Sequence, residues 1–183
     1  MGAIVSLAEF YKRKFNQQPE NLVSEFGHFN AFRIENIPAA DIKKHELIRY
    51  DFHKICLLRG NFRYHYGPKS IEASGTTLLF CNPQVPYSIE PLSGNKSGYF
   101  CIFKEPFLSP KMKSNINELP MFTPEGKSHF FLDEKQDAYV SAIFSKMLNE
   151  IPSDYLYKND LLCNYVMELI HYAMKIPVAV PQA

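Results

Sequence analysis

The stretch from residue 50 to residue 91 constrains the fold most, because short apolar or alternating runs are separated there by glycine and proline. The first run, residues 52–58, is followed by Gly60-Asn61, which predicts a two-residue hairpin turn because both residues tolerate positive φ. Residues 62–66 then alternate aromatic with polar side chains, and further short runs reach Glu90. Strands of this length and spacing predict an all-β barrel or sandwich.

The pattern divides the chain into five segments. We predict an N-terminal arm with a short helix over residues 1–27 and a β-barrel over 28–105, which includes strands at 28–35 and 99–104 and a solvated loop at 93–98. An irregular, proline-rich connection spans 106–131, a two-helix segment 132–176, and the start of a linker 177–183. The predicted fold class is therefore mainly β with an α-helical appendage.

Both ends of the chain carry helix signals. Ser6 and Glu9 match a capping box before a helix at residues 7–15, and Asp133 with Gln136 matches a second one. An apolar stripe with helical spacing runs from Val140 to Ile151.

The last predicted helix, residues 156–176, is apolar on more than one side. One row comprises Leu162, Val166, Leu169 and Ala173, and a second comprises Cys163, Met167, Ile170 and Met174. We interpret the second row as the interface of a homodimer in which the helices pair antiparallel around a two-fold axis. The alternative is that both rows pack within the monomer.

Charge and cysteine usage limit the class of protein. With 20 basic and 19 acidic residues, the chain lacks the basic excess of a stand-alone DNA-binding domain. Its apolar runs fall short of the roughly 18 residues of a membrane span. Four widely spaced cysteines without a CxxC pair predict free buried thiols and a cytoplasmic location.

No pattern in the sequence supplies an evident catalytic centre. GxSxG, HExxH, Walker and GxGxxG motifs are absent, as are paired carboxylates in the strand region. No two histidines alternate on one strand in the arrangement that would direct both imidazoles at one metal. We therefore expect no enzyme activity, no metal and no cofactor.

Longer motifs carry a resemblance to a known family. The runs YHYGPKSIE and GTTLLFCNPQVPYSIEPLSG, then GYFCIFKEPFL, LPMF and YVMELIHYAMK, resemble the cupin-like N-terminal domain of AraC-family transcription regulators. The resemblance extends from about Ser6 to Lys175. It implies a jelly-roll (double-stranded β-helix) barrel that binds a small-molecule effector, a helical pair that dimerises, and DNA binding only through a C-terminal helix-turn-helix domain that this chain lacks.

The likeness departs from the metal-binding cupins at specific positions. Cys81, Pro83 and Pro86 follow Gly75 where the second cupin motif has proline, glycine and a metal-binding histidine, and His53 stands where the first motif has a glutamate. These departures favour a sensor over a metal-dependent enzyme. The effector contacts that we expect in the barrel are Arg33, His53, Tyr64, Tyr66 and Tyr87.

Arg33 would suit a carboxylate or a sugar hydroxyl, although a register shift of one residue would turn it to solvent. Two alternatives remain open. One is a small stand-alone metal-binding cupin enzyme. The other is a structural dimerisation module whose barrel is filled by its own side chains, since the chain has 15 Phe and 11 Tyr.

Overall fold

The computed structural model describes residues 4–15, 28–37 and 46–177. The strands are β1 (Ile4–Val5), β2 (Phe29–Arg33), β3 (Arg49–Tyr50), β4 (His53–Tyr66), β5 (Lys69–Ala73), β6 (Thr76–Cys81), β7 (Tyr87–Phe103) and β8 (His129–Leu132). The helices are α1 (Leu7–Phe15), α2 (Pro110–Asn115), α3 (Glu134–Glu150) and α4 (Lys158–Lys175). The predicted linker at 177–183 lies almost wholly outside the described residues, as does much of the predicted arm.

An antiparallel sheet of six strands organises the molecule. Its strand order is β2-β7-β4-β6-β8. Strands β6 and β5 pair with the same edge of β4, β6 with the first half of that strand and β5 with the second half. A separate parallel pair joins β1 to β3. Strands β2 and β8 end the described sheet, which does not close on itself, so the predicted barrel closure is not confirmed.

Strands β4 and β7 correct two sequence predictions. Gly60-Asn61 does not form a hairpin turn but lies inside β4, where the pairing with β7 shifts register at an irregularity. Likewise, residues 93–98 are not a loop but part of β7. Gly60 has a φ of 124°, a value that favours glycine. A glycine with such a φ inside a strand allows a bulge with strong local twist, so the strand continues and does not turn back.

Gly98 explains how closely these two strands approach. Its φ is 133°, and a Cβ atom at this position would overlap the Leu57 carbonyl oxygen of β4. Only glycine therefore fits there without displacing the backbone.

Alternation along the strands gives the sheet two apolar faces. The helix face includes Ile55, Leu57 and Cys101, which pack with α3 and α4. The arm face includes Cys56, Leu58 and other residues that pack with Leu7, Phe10 and Tyr11 of α1.

Local signals explain the helix boundaries. The Asp133 side chain accepts a hydrogen bond from the Gln136 amide, and the Gln136 side chain accepts one from the Asp133 amide, which confirms the predicted capping box. The Ser6 hydroxyl accepts from the Glu9 amide at the start of α1. Helix α4 begins two residues later than predicted, at Lys158, whose ammonium donates to the Ile151 and Ser153 carbonyl oxygens.

The connection at 106–131 is more regular than predicted. It contains α2 and the edge strand β8, which pairs antiparallel with β6. The sequence pattern did not reveal this strand, because the four residues His129–Leu132 are too few to show alternation. None of the helices that the structure describes is long and apolar enough to cross a membrane.

A polar clamp fastens the sheet to α3. The Arg59 guanidinium donates two hydrogen bonds to Asp137, at 2.8 and 2.7 Å, and a third to the Ser141 hydroxyl. The Thr76 hydroxyl of β6 donates to the same carboxylate at 2.8 Å. This clamp joins β4, β6 and α3 through one carboxylate.

Candidate functional site

Three of the five predicted effector contacts meet on the arm face. Tyr64 and Tyr66 lie two residues apart on β4, so both point to the same side, and Tyr66 pairs across the strands with Tyr87 of β7. The Tyr64 and Tyr66 rings stack with centroids 5.6 Å apart. All three side chains are almost fully buried.

Cys81 lies at the centre of this group. Its sulfur is 3.6 Å from the Tyr64 hydroxyl, and the Tyr87 hydroxyl also interacts with it. The Tyr66 hydroxyl is buried and makes no hydrogen bond of ordinary geometry within the described residues, although the Asn82 backbone lies near enough to affect its pKa. We call Tyr64, Tyr66, Tyr87 and Cys81 the tyrosine cluster.

Burial fixes the protonation states of the tyrosine cluster. Loss of solvent raises the pKa of the Cys81 thiol to about 12 and that of the Tyr66 hydroxyl to about 12. Burial also raises the pKa of Tyr64 and of Tyr87 well above the ordinary value. At neutral pH the cluster holds hydrogen-bond donors and no thiolate, so it suits binding of an acceptor and does not activate a nucleophile.

The rim of the cluster is aromatic and cationic. The Lys54 ammonium lies 4.5 Å from the Phe100 ring centroid and 6.0 Å from that of Tyr87. Neither Lys54 nor Cys81 is among the contacts predicted from the sequence. Strand alternation carried the necessary signal, because Lys54 lies two residues from Cys56, which is on the arm face.

The other two predicted contacts lie on the helix face. The His53 ring stacks on Phe103 at 5.2 Å, meets Phe122 edge-on, and approaches the Asn117 side-chain oxygen at 3.3 Å. Arg33 donates to the Tyr99 hydroxyl at 3.0 Å at the end of β2. The structure therefore does not bring Arg33 and His53 together with the tyrosine cluster.

The predicted dimer row divides between core and surface. Ile170 is fully buried and Cys163 is 8 % exposed within the single chain, whereas Met167 is half-buried and Met174 is 43 % exposed. Cys163 and Met167 also line an open cavity of about 850 Å³ between residues 106–112 and α4. No sequence pattern predicts this cavity, because its walls come from segments far apart in the chain.

Metal-ligating side chains are dispersed. Within residues 4–15, 28–37 and 46–177, no three His, Cys, Asp or Glu side chains gather into a group that could hold a metal ion. Two of the residues that occupy cupin-motif positions, His53 and Cys81, lie on opposite faces of the sheet.

Comparisons with known proteins give a structural likeness. No protein-family model matches the chain, and no curated protein matches it. Among solved structures, ToxT from Vibrio cholerae matches with a TM-score of 0.43 and 13% sequence identity, over 83% of this chain. The chain spans 60% of the length of that protein, and a likeness of this degree defines no family for it.

Proposed function

We propose that the chain is the effector-sensing and dimerisation domain of an AraC-type transcription regulator, a cytoplasmic protein whose DNA-binding domain lies outside this sequence. In this proposal the sheet is a cupin-like jelly roll without a catalytic metal, and the domain is not an enzyme. The motifs that end in YVMELIHYAMK support the family, as set out above.

One observation supports sensing most directly. The arm face buries several neutral hydroxyl and thiol donors together, and the Tyr66 hydroxyl among them lacks a partner of ordinary geometry within the described residues. A buried hydroxyl without a hydrogen bond costs about 1–3 kcal/mol, and the nearby Asn82 backbone offsets part of that cost for Tyr66. A ligand that accepts a hydrogen bond there would recover that cost.

The route from sensor to helices is short. Arg59 on β4 lies seven residues before Tyr66 on the same strand and is clamped to Asp137 of α3. Binding that shifts β4 would therefore reach the helical pair through charged hydrogen bonds. Any such effect requires that the ligand favour one arrangement over another.

A repressor fusion tests the function. The chain is joined to a heterologous DNA-binding domain that represses a reporter gene only as a dimer. We expect the fusion to repress well beyond the DNA-binding domain alone. Equal, weak repression by both would overturn the dimerisation half of the proposal.

A screen of small metabolites tests the sensing half. A compound that raises the unfolding temperature of the parent chain should lose its effect in Tyr66→Phe, which removes only the hydroxyl. Tyr139→Phe, which alters an exposed tyrosine of α3, provides the matched control. Equal responses of parent and Tyr66→Phe to every stabilising compound would remove the tyrosine cluster as the effector site.

A structural dimerisation module is the second candidate. The Phe10 ring of α1 contacts Phe52 at 5.2 Å and also Tyr50 and Phe100, so the arm itself fills part of the arm face. A dimer that represses as a fusion but responds to no small molecule would favour this module over the sensor.

A further inference from the structure

The open cavity beside α4 has the size of a small-molecule site. Its volume is about 850 Å³, and ligand pockets typically measure about 300–1,000 Å³. His28, Met112 and residues 106–110 line one side, and five residues between Asn159 and Met167 of α4 line the other. The cavity adjoins the core of the helix face, whereas the tyrosine cluster lies on the arm face. We call it the α4 cavity.

Part of the lining is apolar and well packed. Leu108 is buried, and Phe107, Met112 and Met167 are half-buried side chains that pack against the core of the helix face. The Phe107 ring stacks on Phe29 with centroids 4.6 Å apart, which fixes its orientation. Aromatic rings attract cations as well as apolar groups, and methionine side chains adapt to ligands of irregular shape.

The polar part of the lining is not used by the fold. The side chains of Ser109, Asn159, Asp160 and Asn164 make no hydrogen bond or ion pair with another residue that the structure describes. The Nδ1 atom of His28 is buried and also has no hydrogen-bond partner there. The cavity therefore presents unpaired polar groups beside an apolar surface, as sites for small molecules do.

Asp160 gives the α4 cavity a negative charge. It is the only carboxylate among the described residues that line the cavity, and no lysine or arginine lines it. Asp160 lies in the first turn of α4, where the helix dipole favours the ionised carboxylate. Asn164 follows four residues later, so the two side chains are neighbours on one side of the helix. Carboxylate and amide oxygens together can accept the N–H groups of an ammonium.

The arrangement suits an organic cation better than a metal ion. His28, Asp160 and Cys163 all line the cavity. Nevertheless, no three side chains of the metal-ligating types come together closely enough to hold a metal ion in the described part of the chain. One carboxylate beside neutral amides and an aromatic ring is instead a partner for a single positive charge on an apolar molecule.

We propose that the α4 cavity binds a small organic cation, a protonated amine whose apolar body lies against Phe107, Met112 and Met167. The ammonium donates hydrogen bonds to the Asp160 carboxylate and to the side-chain oxygen of Asn164. This site is separate from the tyrosine cluster, so the inference goes beyond the proposed function and does not depend on it.

Titration of the whole chain with phenethylamine tests the proposal, with binding followed through the backbone amide resonances by NMR. Phenethyl alcohol and phenylacetate have the same ring but are neutral and anionic, and they are titrated at equal pH and ionic strength. We expect the amine to bind at least about tenfold more tightly than either analogue, because a hydrogen-bonded ion pair is stronger than a neutral contact. The shifted resonances should belong to residues 106–112 and 159–167.

Substitutions in the cavity make the test specific. Asp160→Asn removes the charge but retains the shape, and it should weaken amine binding by about tenfold or more while leaving binding of the alcohol unchanged. Asp160→Glu should retain binding of the amine. Asp154→Asn, at an exposed residue before α4, is the matched control and should have no effect. Phe107→Leu should weaken binding of the amine and the alcohol alike.

The predicted dimer row shares Cys163 and Met167 with the α4 cavity, so a dimer would cover part of the site. The titration is therefore repeated on Met174→Glu, the expected monomer. Failure of the amine to bind either protein, an equal affinity in Asp160→Asn, or shifts confined to the strands of the tyrosine cluster would overturn the proposal. The fusion and the metabolite screen use neither the amine nor Asp160, so failure of this site and failure of the regulator function are distinguishable.

Discussion

His53 shows how burial of a single side chain affects stability. Its ring is 1 % exposed between Phe103 and Phe122, and burial lowers its pKa from 6.5 to about 4, against a smaller opposing effect of Asn117. In the unfolded chain the imidazole takes up a proton as the pH falls below about 6.5, whereas the folded protein does not until about pH 4. The contribution of His53 to the free energy of unfolding is therefore complete above about pH 6.5 and decreases as the pH falls from 6.5 to about 4.

We expect the parent to lose about 3 kcal/mol of unfolding free energy to His53 between pH 6.5 and about pH 4. Urea unfolding across this range should show a flatter profile for His53→Gln, which is less stable at neutral pH but cannot take up the proton. His171→Gln, on the exposed side of α4, controls for the loss of a histidine. An unchanged slope in His53→Gln would contradict the assignment.

At the scale of elements, α4 has residues that pack within the chain and exposed residues that could contact a second copy. Ile170 is fully buried against the sheet, so Ile170→Glu should abolish folding, because an unpaired charge in the core is very costly. Met174, on the same predicted row, is 43 % exposed. If this row pairs two copies, Met174→Glu should yield a folded monomer, as measured by light scattering and circular dichroism. A folded dimer of Met174→Glu would instead place the interface elsewhere.

The same contrast shows what the sequence could predict about elements. Capping residues and helical periodicity are local, so α1, α3 and α4 were predicted nearly to their ends. Whether a glycine makes a turn or a bulge depends on the partner strand, so β4 was predicted as two strands. When Gly60-Asn61 is treated as part of one continuous strand, alternation along β4 places His53 and Tyr64 on opposite faces of the sheet, as observed. Tyr64, Tyr66 and Tyr87 lie together because all three come after the misassigned turn, and their role as effector contacts stays a prediction.

The whole molecule depends on contact between the sheet and the helical pair, to which the Arg59–Asp137 clamp contributes. No motif predicted this clamp, because Arg59 and Asp137 are 78 residues apart and only the tertiary fold brings them together. The Arg59 hydrogen bonds, followed by those of Ser141 and Thr76, lower the pKa of Asp137 to about 2, although burial opposes the shift. A carboxylate with a lowered pKa stabilises the fold above its unfolded pKa and loses that contribution as pH falls to the folded value.

Asp137→Asn should therefore lower the unfolding free energy by about 1–2 kcal/mol at neutral pH. This is less than the pKa shift alone would imply, because solvent reaches Arg59 and screens the ion pair. The deficit should persist down to about pH 4 and vanish near pH 2, where the parent carboxylate is itself protonated. This interval lies below that of His53, so urea unfolding as a function of pH resolves the two contributions. Asp154→Asn, an exposed change in the α3–α4 connection, should have no such profile. A deficit that stays constant to the lowest pH would mean that Asp137 acts by shape and hydrogen bonding and not through its charge.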